Sequence, residues 1–157
     1  MSEILKLADK LKAEGEKCSS FYSGLSDEQW KTEVYTEGTV WTIRNILAHL
    51  VTAERAFVKL FESIRQGGAG VSEDFLIDRY NASQQARSKN FTPRELLEQY
   101  TNVRAEMVAW ILSLEDADLA KTGRHPFLGQ TTLHEMIKMV YIHNQTHYRD
   151  LRKFVKD

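Results

Sequence analysis

The sequence predicts an all-α fold, a four-helix bundle in which one connection is a long crossover. Four segments carry apolar residues three or four positions apart, which is the spacing of one helix face. Only two prolines occur, and glycines cluster at the breaks between these segments. No convincing strand pattern is visible. A chain of 157 residues is long enough for one core, so we expect a single domain over residues 1–157.

The first long helix is predicted from a stripe of mainly apolar residues along one face, and the second from a threonine that can cap its first turn. The stripe of the first helix is Ile4, Ala8, Leu11, Gly15, Cys18 and Tyr22. A short turn that carries Trp30 follows it. The second long helix is expected to begin at Thr42, whose hydroxyl can accept a bond from a free amide of the first turn. It is expected to end near Arg65, before Gly67.

The last two long helices each begin at a predicted capping box. Thr92 precedes Pro93 and Glu95, and Thr132 precedes Glu135. The stripe of the third helix is Leu96, Leu97, Tyr100, Val103, Met107, Trp110, Ile111 and Leu114. The stripe of the fourth is Leu133, Met136, Ile137, Val140, Asn144, His147, Leu151 and Phe154. The polar segment 72–90 is expected to be a crossover with a short helix, which argues against simple up-down-up-down topology.

Composition restricts the classes of partner and compartment. The net charge of −1 gives no reason to expect a nucleic acid or an anionic membrane as a partner. The single cysteine, Cys18, cannot form an internal disulfide and fits a reducing compartment. No signal peptide is visible at the start, and no apolar run is long enough to span a bilayer. We therefore expect a cytoplasmic protein.

Two histidines on the fourth helix form a candidate metal-ligand pair. Relative to Leu133, His143 falls at about 280° and His147 at about 320° around the helix axis, one turn apart on the border of the core face. Two imidazoles in that relation can bind one metal ion. The alternative is that both are rim residues bonded to backbone or water. Spacing alone leaves this alternative open, since a catalytic zinc site needs a third protein ligand. His134 falls at about 100°, on the polar side.

His49 is the candidate third ligand. Measured around the axis of the second helix from Ile43, His49 falls at about 240°. Its neighbours there are small and apolar residues, and the charged residues of this helix lie on another side, at about 100° to 160°. In a bundle, such a residue can meet ligands from a facing helix. The alternative is a buried neutral histidine that makes one hydrogen bond. Glu54 on the same helix lies about 140° from His49, so we expect it to bond an arginine or the backbone rather than the same ion.

Three other polar residues have two possible roles each, and the single cysteine has one. Asp150, one turn beyond His147, can accept the free ring N–H of His147 or be an exposed surface residue. Arg124 and His125 lie in a predicted loop and either contact an anionic substrate or are solvated. Cys18 lies on the apolar stripe of the first helix, so we interpret it as a packed thiol rather than a nucleophile.

Three segments resemble the DinB/YfiT-like family of metalloenzymes. They are WTIRNILAHLVTAE, YNASQQARSKNFTPRELLEQYTNVRAEMVAWILSL and HNQTHYRDLRKF, and their order and separation are more specific than the histidine pair. The resemblance covers most of the chain, from about Trp41 to Phe154. It implies a four-helix bundle with a long crossover, and a divalent metal held by His49, His143 and His147.

The resemblance also implies a range of functions. Relatives include transferases and isomerases that use low-molecular-weight thiols, so the first expectation is a metal-dependent enzyme that activates a small thiol for transfer to an electrophile. The alternatives are metal-assisted hydrolysis at the same site and a non-enzymatic metal-binding bundle. The expected cofactor is a divalent metal ion, with zinc or nickel preferred, although imidazole ligands suit copper and iron as well. Relatives often pair through bundle helices, so a homodimer is expected as well.

Overall fold

Four long helices form the bundle in the computed structural model, which describes residues 2–155. They are α1 (Glu3–Ser23), α3 (Ile43–Arg65), α5 (Pro93–Leu112) and α6 (Leu133–Arg152). Two shorter helices, α2 (Asp27–Trp30) and α4 (Ile77–Ser88), and a 3-10 helix (Asp116–Ala120) lie in the connections. The predicted fold class, a four-helix bundle, is confirmed. The first residue and the last two of the predicted 1–157 domain lie outside the described residues.

The order of the long helices around the bundle is not their order in the chain. Helix α1 packs mainly against α5 and α6, and α3 packs mainly against the same two helices. Two helices that follow each other in the sequence, α1 and α3, therefore lie diagonally across the bundle. This arrangement agrees with the expectation that the topology is not simple up-down-up-down. It also makes α3 and α6, the helices that carry the candidate ligands, direct neighbours.

The long helices begin where the threonines predict. The hydroxyls of Thr42, Thr92 and Thr132 each accept a hydrogen bond from the amide three residues later. The capping box is complete at Thr92 but not at Thr132, because the carboxylate of Glu135 faces Lys138 at 3.5 Å. The predicted stripe of α6 was wrong in one position. The helix ends at Arg152, and Phe154 lies beyond it with 53% of its surface exposed.

The absence of strands was also predicted wrongly, because two short antiparallel hairpins are present. Strands β1 (Glu33–Tyr35) and β2 (Trp41–Thr42) form the first, and β3 (Thr122–His125) and β4 (Gly129–Thr132) form the second. Strands of two to four residues are too short to show an alternating pattern. Each hairpin ends at the N-cap threonine of a helix that carries candidate ligands, so the hairpins are held beside the same region of the bundle.

A buried polar layer divides the core into two apolar clusters. Each long helix contributes one residue to it: Glu14 from α1, Glu54 from α3, Arg104 from α5 and Asn144 from α6. One cluster contains Leu11, Phe61, Met107 and Ile137, and the other contains Tyr22, Leu47, Tyr100 and Leu151. None of the described helices is long and apolar enough to cross a membrane.

The crossover between α3 and α5 is attached to the second hairpin. The amide of Arg124 donates to the carbonyl of Ala69 at 2.9 Å, and the amide of Val71 donates to the carbonyl of Arg124 at 3.0 Å. Gly70 between them has φ +94°, and a Cβ there would meet the Arg124 backbone. Only glycine fits this close approach. The crossover is thereby held across the surface of α3.

Candidate metal centre

Three histidine side chains from two helices meet at one point. Nε2 of His49 lies 3.0 Å from Nε2 of His143, which lies 3.1 Å from Nε2 of His147. The three nitrogens all lie within 4.8 Å of one another. Two nitrogens that share a tetrahedral zinc ion at about 2.0–2.1 Å are about 3.3 Å apart. The two distances from Nε2 of His143 are close to this value, which fits a shared ion.

The local structure of each helix explains this convergence. His143 and His147 are four residues apart on α6, so their rings lie one turn apart on the same face. His49 is 95% buried on the neighbouring helix α3 and projects toward them. Its ring packs edge-on against both, with centroids 4.9 Å and 5.1 Å away. The structure therefore brings together the three residues that the sequence singled out.

Burial favours the neutral form of all three imidazoles. It lowers the pKa of His49 to about 3, with a smaller contribution from the neighbouring charge of His147. It lowers the pKa of His143 to about 2, again with smaller contributions from nearby histidines, and that of His147 to about 4. A neutral imidazole keeps a free lone pair on one nitrogen, which is the form that a metal ion binds.

A tyrosine from the first hairpin sets the orientation of His147. The hydroxyl of Tyr35 lies 2.8 Å from Nδ1 of His147 and donates to a carboxylate oxygen of Asp150 at 2.6 Å. Because the hydroxyl proton goes to Asp150, Nδ1 of His147 carries its own proton and donates to the tyrosine oxygen. The lone pair is then on Nε2, which faces the other two histidines. Burial and the Asp150 carboxylate raise the pKa of Tyr35, so the phenol keeps its proton.

Asp150 therefore reaches His147 through Tyr35. The sequence left two roles open for Asp150, an acceptor for the ring N–H of His147 or an exposed surface residue, and the structure shows this two-step arrangement instead. Sequence reasoning missed Tyr35, which is 112 residues from His147. Its position after a short turn gave no periodic signal, and the pairing of β1 with β2 brings it to the end of α6.

An open cavity adjoins the three histidines. It has a volume of about 510 Å³, and its walls include the triad, Tyr35, Trp41 and Phe127. The ring of Trp41 lies 5.0 Å from that of His49, and the ring of Phe127 lies 5.5 Å from that of His143. A ligand entering this cavity reaches the point where the three nitrogens converge.

Glu54 belongs to the polar layer and not to the histidine cluster. Arg104 donates to both carboxylate oxygens of Glu54 at 2.8 Å. The expectation that Glu54 bonds an arginine is confirmed. Arg104 also donates to the carbonyl of Leu11 at 2.8 Å and to Glu14 at 3.3 Å. Its side chain passes so close to Gly15 that a Cβ there would lie 2.8 Å from Arg104 Cγ.

Arg124 and His125 lie in strand β3 rather than in a loop. Arg124 forms an ion pair with Glu73 at 3.0 Å. His125 is 1% exposed, and its Nδ1 accepts hydrogen bonds from the amides of Phe127 and Leu128. The expectation that His125 is solvated or contacts a substrate was wrong, because this ring closes the hairpin turn from inside.

Two remaining expectations agree with the structure. Cys18 is buried, and Asn144 donates to its sulfur at 3.3 Å, so it is a packed thiol. Burial raises the pKa of this thiol, which argues against a nucleophile. His134 pairs with Glu3 at 2.9 Å on the outside of the bundle and takes no part in the cluster.

Comparisons with known proteins identify the family. The family model of the DinB superfamily matches residues 10–151. No curated protein matches the sequence. Among solved structures, the chain is similar to YfiT from Bacillus subtilis, described as a probable metal-dependent hydrolase with an unusual four-helix bundle topology. The identity is 18%, the TM-score is 0.79, and the match covers 98% of this chain and 87% of YfiT.

Two further structures share the fold at low identity. A mycothiol-dependent maleylpyruvate isomerase is 14% identical with a TM-score of 0.77, and the match covers 96% of this chain and 61% of the isomerase. The colibactin self-resistance protein ClbS, solved in complex with a dsDNA, is 14% identical with a TM-score of 0.69 and coverages of 98% and 96%. At these identities the structures establish a shared fold. The family match covers most of the chain, which therefore belongs to the DinB superfamily.

Proposed function

We propose that this chain is a metal-dependent enzyme whose divalent ion is bound by His49, His143 and His147. The observation that carries the proposal is the convergence of three neutral imidazole nitrogens within 4.8 Å beside an open cavity. Three protein ligands leave a coordination position for a reactant, as in catalytic rather than structural zinc sites. Zinc or nickel fits an all-imidazole ligand set.

The proposed reaction is the transfer of a small thiol to an electrophile. A divalent ion held by His49, His143 and His147 would lower the pKa of a thiol and would so supply a nucleophile at neutral pH. The chain itself supports this chemistry by orienting His147 through Tyr35 and Asp150 and by lining the open cavity beside the centre with Trp41 and Phe127. The fold shared with a mycothiol-dependent isomerase supports a thiol as co-substrate.

Hydrolysis is the second candidate function. The similarity to YfiT, described as a probable metal-dependent hydrolase, favours it. The same ion would lower the pKa of water instead of a thiol. We propose a small molecule rather than a nucleic acid as substrate, because the net charge of −1 offers no general attraction for a polyanion. ClbS was solved with a dsDNA, so a DNA-binding assay belongs beside the enzyme assays.

The first experiment measures metal content and affinity. Untagged wild-type protein should bind about one equivalent of zinc or nickel, as measured by elemental analysis and calorimetry. His147→Ala should lose this binding, because two imidazoles remain. His134→Ala is the matched control, since its ring lies outside the cluster, and its metal content should equal that of the wild type. Equal metal content in His147→Ala and the wild type would contradict the proposed centre.

The second experiment separates the two reactions. Monochlorobimane is offered with several low-molecular-weight thiols to protein loaded with zinc, nickel or manganese, and activated esters are offered without thiol. Thiol-dependent turnover that disappears in His147→Ala would support the transferase. Ester turnover without thiol would support the hydrolase. A protein that binds the metal but catalyses neither reaction would favour a non-enzymatic metal-binding bundle.

A further inference from the structure

A second, apolar cavity lies between α3 and the crossover. It has a volume of about 110 Å³, and carbon atoms form nearly all of its lining. Ala53 and Ala56 form its floor on α3, and Val71, Phe75 and Tyr80 form its outer wall. The two alanines are three residues apart and therefore lie on one helix face. Their small side chains leave the space that larger residues at these positions would fill.

The outer wall of this cavity is held in place by the second hairpin. Val71 bonds the Arg124 carbonyl, and Gly70 permits the close approach of the two chains. Phe75 and Tyr80 contact each other, with ring centroids 5.5 Å apart. The crossover therefore forms a defined wall over α3, and the cavity is part of the folded structure.

The apolar cavity adjoins the open cavity at the three histidines. His49, Asn81 and Phe127 line both. A molecule whose reactive atom lies at the triad can therefore place an adjoining group over Ala53 and Ala56. Within the described part of the chain, the side-chain amide of Asn81 makes no hydrogen bond, so it is available to a polar atom of the molecule at the junction.

The lining of the two cavities disfavours a charged group on the part of a bound molecule that lies away from the three histidines. Among the described residues that line them, none is a lysine, arginine, aspartate or glutamate. A charged group in the apolar cavity would lose its hydration without a partner, which is costly. An uncharged apolar group gains free energy by leaving water there.

The volume of the cavity sets the size of this group. An engineered apolar cavity of about 150 Å³ in another protein binds benzene. The cavity here is somewhat smaller, and it adjoins the open cavity at the triad. A phenyl ring or a branched alkyl group of similar size fits it.

We propose that the substrate of this enzyme carries an uncharged aromatic or branched alkyl group that binds in the cavity between α3 and the crossover. The proposal rests on the proposed function, because the metal centre would hold the reactive end of the same molecule. It adds the substrate class: an apolar electrophile or ester, selected by Ala53 and Ala56 on one side and by the crossover on the other.

The test compares two metal-binding probes that differ only in the group placed in the cavity. Acetohydroxamate and benzohydroxamate share a chelating head, and the second carries a phenyl ring. Calorimetry with zinc-loaded wild-type protein should show that benzohydroxamate binds at least about tenfold more tightly. In Ala56→Phe, whose side chain fills the cavity, this preference should fall to near onefold while the affinity for acetohydroxamate is unchanged.

Ala86→Phe is the matched control. Ala86 is exposed on α4 and does not line the cavity, so this variant should keep the wild-type preference. Should Ala56→Phe fail to fold, Ala56→Leu is the second variant and should lower the preference in part. Equal affinity of the wild type for both probes, or an unchanged preference in a folded Ala56 variant, would overturn the proposal.

A metal-free measurement distinguishes failure of the cavity from failure of the metal centre. Toluene is titrated into metal-free protein, and the methyl resonances of Ala53 and Ala56 are followed by NMR. Shifts of both methyl resonances in the wild type and in Ala86→Phe, but no shift of the remaining Ala53 methyl in Ala56→Phe, would support the apolar site even if zinc does not bind. Absence of shifts in the wild type would contradict the site, whatever the metal content.

Discussion

The hydroxyl of Tyr35 lies 2.8 Å from Nδ1 of His147, and its proton is donated to Asp150. A residue of the first hairpin thereby fixes which nitrogen of a bundle histidine faces the candidate metal centre. Contacts of this kind hold a ligand in the tautomer and orientation that binding requires.

Tyr35→Phe should weaken metal binding without abolishing it. The variant keeps the ring but removes the oxygen that accepts the Nδ1 proton, so His147 loses its preferred tautomer. Loss of such a contact lowers metal affinity by about 10–100-fold. Calorimetric titration with zinc measures this, and Tyr148→Phe, on α6 but outside the open cavity, is the control. Affinity equal to the wild type in Tyr35→Phe would show that Tyr35 does not position His147.

Glu54→Gln should destabilise the fold far more than Glu14→Gln. Arg104 is 96% buried and makes its two shortest carboxylate contacts with Glu54. Burial alone would lower the pKa of Arg104, but the bonds and charge of Glu54 raise it, so the cation depends on this partner. Removing one partner of a buried ion pair costs about 3–5 kcal/mol, and a glutamine that keeps one bond should cost about 3 kcal/mol.

Glu14 is the matched control for that experiment. Burial raises the pKa of its carboxyl, so the structure already disfavours its charge. One of its oxygens contacts Arg104 and Asn144, and the other is buried with no hydrogen-bond partner among residues 2–155. Chemical denaturation at neutral pH should show a loss below about 1 kcal/mol for Glu14→Gln. Similar losses in both variants would contradict the unequal roles of the two carboxylates.

His125 should make the fold sensitive to mild acid. Burial lowers the pKa of His125 to about 4, against about 6.5 in an unfolded chain. Between these values the unfolded chain binds the proton and the folded chain does not, so stability falls as the pH is lowered through this window. Because of this ring, the free energy of unfolding should be lower at pH 5 than at pH 7 by roughly 1–2 kcal/mol.

The variant for this prediction is His125→Asn. Its amide oxygen can accept the bonds from Phe127 and Leu128 and does not titrate. Unfolding free energies of both proteins are measured from pH 7 to pH 5, so that contributions from the triad cancel in the difference. The variant should lose less stability than the wild type over this range. Parallel curves would show that His125 does not carry the proposed pH dependence.

The sequence predicted local structure where a single element carried the signal. The stripes of α1, α3, α5 and α6 follow from the 3.6-residue helical period, and the threonine caps mark the helix starts. The spacing of His143 and His147 placed both rings on one face. The two hairpins gave no signal, because strands of two to four residues are shorter than the pattern that identifies them.

The sequence by itself determined four amphipathic helices and a pair of stacked imidazoles, since these depend on residues within a few positions of one another. Only the tertiary structure decided that His49 meets His143 across 94 residues and that Tyr35 contacts His147 across 112. It also decided that the crossover encloses an apolar cavity beside them. The physical reason is that helical periodicity fixes the direction of a side chain within its helix, whereas packing between helices fixes which directions converge.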